Sequence, residues 1–325
     1  MDPTIPGRTC HLDFSGTSDQ LAHFLGVFDS SPPSNLLSFR LQFVHYDELE
    51  PREKISRLLS SPFPKLTKLN FGSFGNFLPD PSSSIYTTSK LTSLKLFLPY
   101  GGNGRYTLAQ FSRILRQHPT LEELDLNHGA IPLSGTPGNP VPFTLPRLVN
   151  LRLCGTKGAI IGLMDLIGMS SPLHDVVIHV CYTPDFTVPA LTTTMEKIAV
   201  PYYNYQGLNL PRKIHNLAIS SRMNNLYLTF DAKSHSAPTS NLVVQFLWVG
   251  ELGCEQVVDG TFGLLPSNDI DIQELTIEGV PLTRRMLQKM NNLSHLRLCN
   301  QGRQGITKAL DALSLGNQGA STNSP

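Results

Sequence analysis

The chain has 325 residues, with 26 lysines and arginines against 25 aspartates and glutamates and a formal net charge of +1. Hydrophobic residues make up 40% and charged residues 16%, enough apolar material for a packed interior and too little clustered charge for a dedicated nucleic-acid or anionic-membrane binder. The five cysteines, Cys10, Cys154, Cys181, Cys254 and Cys299, are odd in number, far apart and form no CxxC. That pattern excludes a disulfide framework or zinc-finger spacing and predicts reduced, mostly buried thiols in an intracellular protein, cytoplasmic or nuclear.

Residues 1–8 read as a short N-terminal segment. The start "MDPTIPGRTCHLDF" has no basic run followed by an apolar one, so no signal peptide is predicted. From residue 9 the pattern apolar-x-x-apolar-x-apolar begins, loosely at Thr9 with Leu12 and Phe14. It continues at Leu36/Phe39/Leu41, Leu66/Leu69/Phe71, Leu91/Leu94/Leu96, Leu121/Leu124/Leu126, Leu148/Leu151/Leu153 and Leu173/Val176/Ile178. First positions at 9, 36, 66, 91, 121, 148 and 173 are separated by 27, 30, 25, 30, 27 and 25 residues. Any chain holds stray apolar triplets, but six successive intervals in so narrow a band mark a leucine-rich repeat period.

The segments between triplets carry helical spacing. "TSDQLAHFLGVFDSSPPS" does so through Leu21, Phe24, Leu25 and Phe28, and "PREKISRLLSSPFP", "GAIIGLMDLIGMSSP" and "TRRMLQKM" follow suit. In "RYTLAQFSRILRQHP", Leu108, Phe111, Ile114 and Leu115 share one face, with Thr107 as N-cap and Pro119 beyond the end. Each unit therefore reads as strand, loop, helix and Pro/Ser-rich return. The expected fold is an α/β leucine-rich repeat solenoid over 9–313, horseshoe-like, with about ten to twelve repeats. Parallel strands line the concave face and helices the convex one. First, fourth and sixth pattern residues point into the shared core, and third, fifth and seventh point outwards.

The period loosens around 195–270, which predicts an irregular strand-rich portion. Triplet-like runs starting at Ile214 and Met223 are only nine residues apart, too close for a helix between them, and read as two adjacent strands, a hairpin that interrupts the simple stack. "SNLVVQFLWVG" reads as a further buried strand, and "GELGCEQVVDGTFGLLPSND" as a loop or short helix. The regular pattern returns at Ile272/Leu275/Ile277 and Leu293/Leu296/Leu298. A helix from Ile306 to Leu313 is expected next, and residues 314–325, rich in Gly, Ser and Asn, are expected to be disordered.

Little in the chain points to chemistry. "LPYGGNGRYT", Leu98 to Thr107, is Gly-rich but matches neither GxGxxG nor a P-loop and reads as a repeat connection. His179 and Cys181 lie two apart without a second ligand pair, so no metal is predicted. No Gly-x-Ser-x-Gly elbow occurs, and no catalytic residue and no cofactor are predicted. "AIIGLMDLIGM" is too short to span a bilayer and carries Asp165. Recognition is instead expected on the outward strand positions: Arg40, Lys68, Lys95, Phe97, Glu123, Asp125, Asn127, Arg152 and His179. Basic residues gather between 40 and 95 and acids follow at 123 and 125, an alternation that suits a protein or peptide partner better than a polyanion.

"ILRQHPTLEELDLNHGAIP" followed by "PFTLPRLVNLRLCGTKGAIIGLMDLIGMSSPLHDVVIHV" resembles the leucine-rich region of F-box-like proteins of mushroom-forming fungi (basidiomycetes). The "H-P-x-L-E-x-L-x-L" line falls on His118, Pro119, Leu121, Glu122, Leu124 and Leu126, and the "LP-x-L-x-x-L-x-L" line on Leu145, Pro146, Leu148, Leu151 and Leu153. The resemblance spans roughly residues 9–300. It implies a non-enzymatic substrate-recognition part of a cullin-type ubiquitin ligase, in which an F-box docks on a Skp-type adaptor and the repeats hold a protein substrate. No "LPxEILxxIF"-like segment occurs in the 325 residues, so adaptor docking depends on an F-box this sequence does not hold. The alternative expectation is a free-standing repeat scaffold, or a truncated remnant, without ubiquitin chemistry.

Overall fold

The computed structural model describes residues 9–28, 33–44, 49–73, 78–98, 106–132, 141–169, 173–181, 213–222, 225–234, 237–246, 258–260, 262, 270–280, 282–288, 290, 292–299, 307 and 311. The protein is mixed α/β, with a mostly parallel sheet and few helices. It divides into two units, Met1–Ser171 and Pro172–Pro325.

In the first unit the order is β1 (His11–Thr17), α1 (Ser18–Leu25), β2 (Ser38–Val44), α2 (Leu49–Leu59), β3 (Lys68–Ser73), α3 (Ser84–Thr87) and β4 (Ser93–Leu98). Then come α4 (Leu108–Arg116), β5 (Glu123–His128), β6 (Phe143–Leu145), β7 (Asn150–Thr156), α5 (Lys157–Leu166) and β8 (Ile167–Met169). Strands β1, β2, β3, β4, β5 and β7 pair in that order, each parallel to the next. Their register stacks like residues in rows. One row is Leu12, Phe39, Leu69, Leu94, Leu124 and Leu151, and another is Phe14, Leu41, Phe71, Leu96, Leu126 and Leu153. Apart from half-buried Phe14, every member is buried. The opening leucines Leu36, Leu66, Leu91, Leu121 and Leu148 are buried too. Each such side chain contributes roughly 1.5–3 kcal/mol by leaving water.

A recurring joint ties each unit to the one before. The amides of Leu37, Thr67, Thr92, Glu122 and Val149 donate to the carbonyls of Cys10, Leu37, Thr67, Thr92 and Glu122, at 2.7–2.9 Å. The following residue's amide reaches the same carbonyl in every case. A second recurring device is the turn that delivers each opening leucine: Leu36, Leu66, Leu121 and Leu148 donate to the carbonyls of Pro33, Phe63, His118 and Leu145. Pro64, Pro119 and Pro146 occupy the second position of three of these turns, where a fixed φ favours them. Pro64 and Pro119, which follow α2 and α4, are thus turn formers as well as helix breakers.

The helices supply the other half of the core: Leu21 and Leu25 from α1, Ile55, Leu58 and Leu59 from α2, Phe111, Ile114 and Leu115 from α4, and Ile160 and Leu163 from α5. Thr107 does cap α4. Its hydroxyl accepts from the Gln110 amide at 3.1 Å and its own amide donates to Gln110 Oε1 at 2.9 Å, a capping box contributing about 1 kcal/mol. Thr17 and Gln20 make the same reciprocal pair before α1, at 3.0 and 3.4 Å.

Two connections depart from the expected unit. α3 is a single turn of four residues. Between β5 and β7 the described residues hold strand β6 and no helix, and β6 pairs parallel with β8. The helix expected through Met169 therefore ends at Leu166, and Ile167–Met169 turns extended. Gly168 permits the approach, since a Cβ there would lie 3.2 Å from Thr144 Cγ2 and 3.3 Å from the Phe143 carbonyl oxygen.

The second unit holds β9 (Asp175–Cys181), β10 (Lys213–Arg222), β11 (Asn225–Ser234), β12 (Ala237–Phe246), β13 (Ile270–Glu278), α6 (Arg284–Gln288) and β14 (His295–Cys299). The order in the sheet is β9, β12, β11, β10, β13, β14. Here the parallel order is interrupted by the hairpin that the close spacing of the Ile214 and Met223 runs predicts: β10 to β11 and β11 to β12 are antiparallel. The reason is connection length. Only residues 223–224 and 235–236 separate these strands, enough for a hairpin and far short of a parallel crossover. Leu217, Phe230, Leu242 and Val176 nevertheless form one buried row, and Ile219, Leu228, Val244 and Ile178 another. β13 and β14 resume parallel pairing, with Ser294 N donating to the Gln273 carbonyl as at the joints above. Thr283 caps α6 through its hydroxyl, which accepts from the Met286 amide. The segments 1–8 and 314–325, the Gly-rich run 99–105, most of the portion 251–269 and most of the helix expected at 306–313 lie outside the described residues.

Candidate functional site

The outward positions of the first unit form three rows across the strands. The middle row, at the fifth pattern position, runs Asp13, Arg40, Asn70, Lys95, Asp125, Arg152. Beside it lie Ser38, Lys68, Ser93, Glu123, Asn150 on one side and Gln42, Gly72, Phe97, Asn127, Cys154 on the other. Eight of the nine expected residues thus stand on one sheet face, because the register is in step from β2 to β7. His179 lies in the second unit, half-buried on β9 opposite Gln245 of β12.

The charges pair by geometry that the sequence does not disclose. Arg40 Nη1 meets Asp13 Oδ2 at 3.3 Å, and Arg40 Nη2 donates to Gln42 Oε1 at 3.3 Å. Asp13, absent from the expected set, is found by extending the pattern to the loose first match at Thr9. Both partners are exposed, so this pair contributes at most about 1 kcal/mol. Lys95 lies directly opposite Asp125 in the register, yet its Nζ turns to Glu123 Oε1 at 2.6 Å. Glu123 Oε2 accepts from Ser93 Oγ at 2.7 Å, so both carboxylate oxygens are occupied.

These contacts split the two acids. Burial works to raise the Glu123 carboxyl, but hydrogen bonds from Lys95 and Ser93 and the charges of Lys95 and Arg152 outweigh it and hold the group below its ordinary value. For Asp125 burial wins: the carboxyl is raised despite the charges of Lys95 and Arg152, with Glu123 adding to the rise. Asp125 has no hydrogen bond or ion pair among the described residues. Asn127, next on the same side of β5, keeps its Oδ1 buried without a donor. Lys68 and Arg152 are exposed cations with no ion pair among the described residues. Phe97 is half-buried opposite Asn127, and Gly72 beside it is closed over by Gln42, whose Cγ would lie 3.3 Å from a Cβ at that position.

Sequence reasoning took His118 only as part of a repeat line. It is fully buried, in the turn position that Phe63 and Leu145 fill in neighbouring units. Its Nδ1 accepts from the Leu91 amide at 3.3 Å, which leaves the proton on Nε2, a buried nitrogen without a partner. Burial lowers its pKa to about 4. A polar residue at an otherwise apolar turn position was the available signal.

His179 and Cys181 share β9, but no group of three or more metal-ligating residues exists among the described residues. Cys10 is exposed, Cys154 and Cys181 are buried, Cys299 is half-buried, and none of these four forms a disulfide; Cys254 lies outside the described residues. No helix among the described residues is long and apolar enough to cross a membrane. In comparisons with known proteins, no family model, no curated protein and no solved structure matches the chain.

Proposed function

We propose that the chain is an irregular leucine-rich repeat solenoid of the fungal F-box-like kind, whose outward sheet face holds a protein partner without catalysis. In this reading it is the substrate-recognition part of a cullin-type ubiquitin ligase component. The observation that carries the repeat reading is the joint recurring at Leu37, Thr67, Thr92, Glu122 and Val149. Stacked units of this type bury one side of their strands and leave the other as a broad recognition surface. The face supports a protein partner because it mixes both signs of charge with amides and an aromatic ring. A polyanion would need one sign only.

The second reading is a free-standing scaffold that holds partners without ubiquitin chemistry. One experiment separates these outcomes: affinity purification of the tagged chain from basidiomycete cells, alongside a folded variant carrying Arg40→Glu with Lys68→Glu. Proteins captured by the wild type and lost from the variant are the expected result. With the tag placed at the gene's own locus, so that any sequence encoded around these residues is carried along, a Skp-type adaptor captured by both forms supports the ligase role, and face-dependent partners with no adaptor support the scaffold. Identical capture by both forms contradicts binding at this face.

A further inference from the structure

We propose that Asp125 anchors a lysine or arginine side chain of the protein partner, with Phe97 as a wall of the same subsite. This rests on the outward sheet face being the binding face. Three outward groups follow one another along β5, and they differ in what they have. Glu123 is saturated by Lys95 and Ser93, at 2.6 and 2.7 Å. Asp125 and Asn127 Oδ1 are acceptors with no donor among the described residues. The nearest cation in the register, Lys95, is committed to the neighbouring acid. On the other flank Arg152 is exposed and makes no ion pair with Asp125.

Asp125 is half-buried, and a carboxylate partly withdrawn from water without donors costs the fold free energy. A cation brought from outside removes that cost, and the aromatic ring suits the same group. The exposed cations make weaker anchors. Lys68 and Arg152 are exposed, so an acidic group gains less from each of them than a cation gains from the recessed acid. The recessed acid is where the face has most to gain, and it selects a positive charge. Alone among the outward groups it also puts stability and binding in opposition. Asp125→Asn removes an unpaired charge from the fold and the anchor from the site.

A random peptide library displayed on phage and selected on the immobilised full chain supplies the probe. The enriched peptides are expected to share a Lys or Arg at a fixed position. A synthetic copy of the strongest binder should lose affinity by about tenfold or more to Asp125→Asn, and equally when its own cation is replaced by Met. The variant's melting temperature should be unchanged or higher, which rules out misfolding as the cause. Enriched peptides without a cation, or undiminished binding to Asp125→Asn, overturn the inference. If Arg40→Glu with Lys68→Glu abolishes that binding, the face reading survives and only the anchor fails. If neither variant matters, or no peptide is enriched, both fall.

Discussion

Lowering the pH from 7 to 5 is expected to cost the fold about 2 kcal/mol through one side chain, His118. Its pKa is about 4 in the folded chain, against 6.5 for the ordinary imidazole. Between those values the unfolded chain takes up a proton that the folded chain refuses. The contribution is therefore whole above pH 6.5 and falls as the pH drops toward 4, at about 1.4 kcal/mol per unit. The physical cause is burial: a charged ring there has no acceptor for Nε2, and protonation of Nδ1 evicts the Leu91 amide. Replacing His118 with leucine, which suits the apolar turn position of the neighbouring units, isolates the effect. At pH 7 the variant should lose about 1–3 kcal/mol, because the Leu91 N–H is left unpaired. Its stability should then change little between pH 7 and 5. Glu123 stays ionised through this range, and raised Asp125 works with the opposite sign in wild type and variant alike. Urea unfolding at pH 5, 6 and 7 measures both slopes, and equal slopes in the two proteins would refute the assignment.

Leu124→Ala should cost about 2–5 kcal/mol. Leu124 is fully buried and lies between Leu94 and Leu151 in its row. In a stack of units a hole in one row weakens the packing on both flanks, so the loss is not confined to β5. Leu37→Ala is the matched control. That leucine is 39% exposed and belongs to no row, so its truncation should stay within about 0.5 kcal/mol. Chemical unfolding of both variants makes the comparison. A Leu124→Ala cost below about 1 kcal/mol would mean that the rows do not carry the stability assigned to them.

The leucine spacing disclosed the strands and the buried rows because both follow from local alternation. Capping by Thr107 and the close strands at Ile214 and Met223 were legible for the same reason: each rests on residues only a few positions apart. The rest depended on neighbours 25–30 residues away. Nothing in the sequence decides that Lys95 turns to Glu123 rather than to Asp125, because that choice is made by side-chain reach across β4 and β5. The patches of basic and acidic residues expected from the order along the chain resolve into two ion pairs and three unpaired charges, Lys68, Asp125 and Arg152, among the described residues. The Phe143–Leu145 strand was invisible because three residues carry no period. His118 was read as a repeat marker, and its hydrogen bond to Leu91 lies 27 residues back along the chain.

We propose that a protein partner lies on the outward face of the parallel strands. Titrating a partner identified by affinity purification against two folded variants tests it most directly. One carries Arg40→Glu with Lys68→Glu on that face; the other carries Arg113→Glu, an exposed residue on α4. Binding to the first is expected to be at least about tenfold weaker, with an unchanged Kd for the second. Full affinity for the first variant, with loss at Arg113, would contradict it.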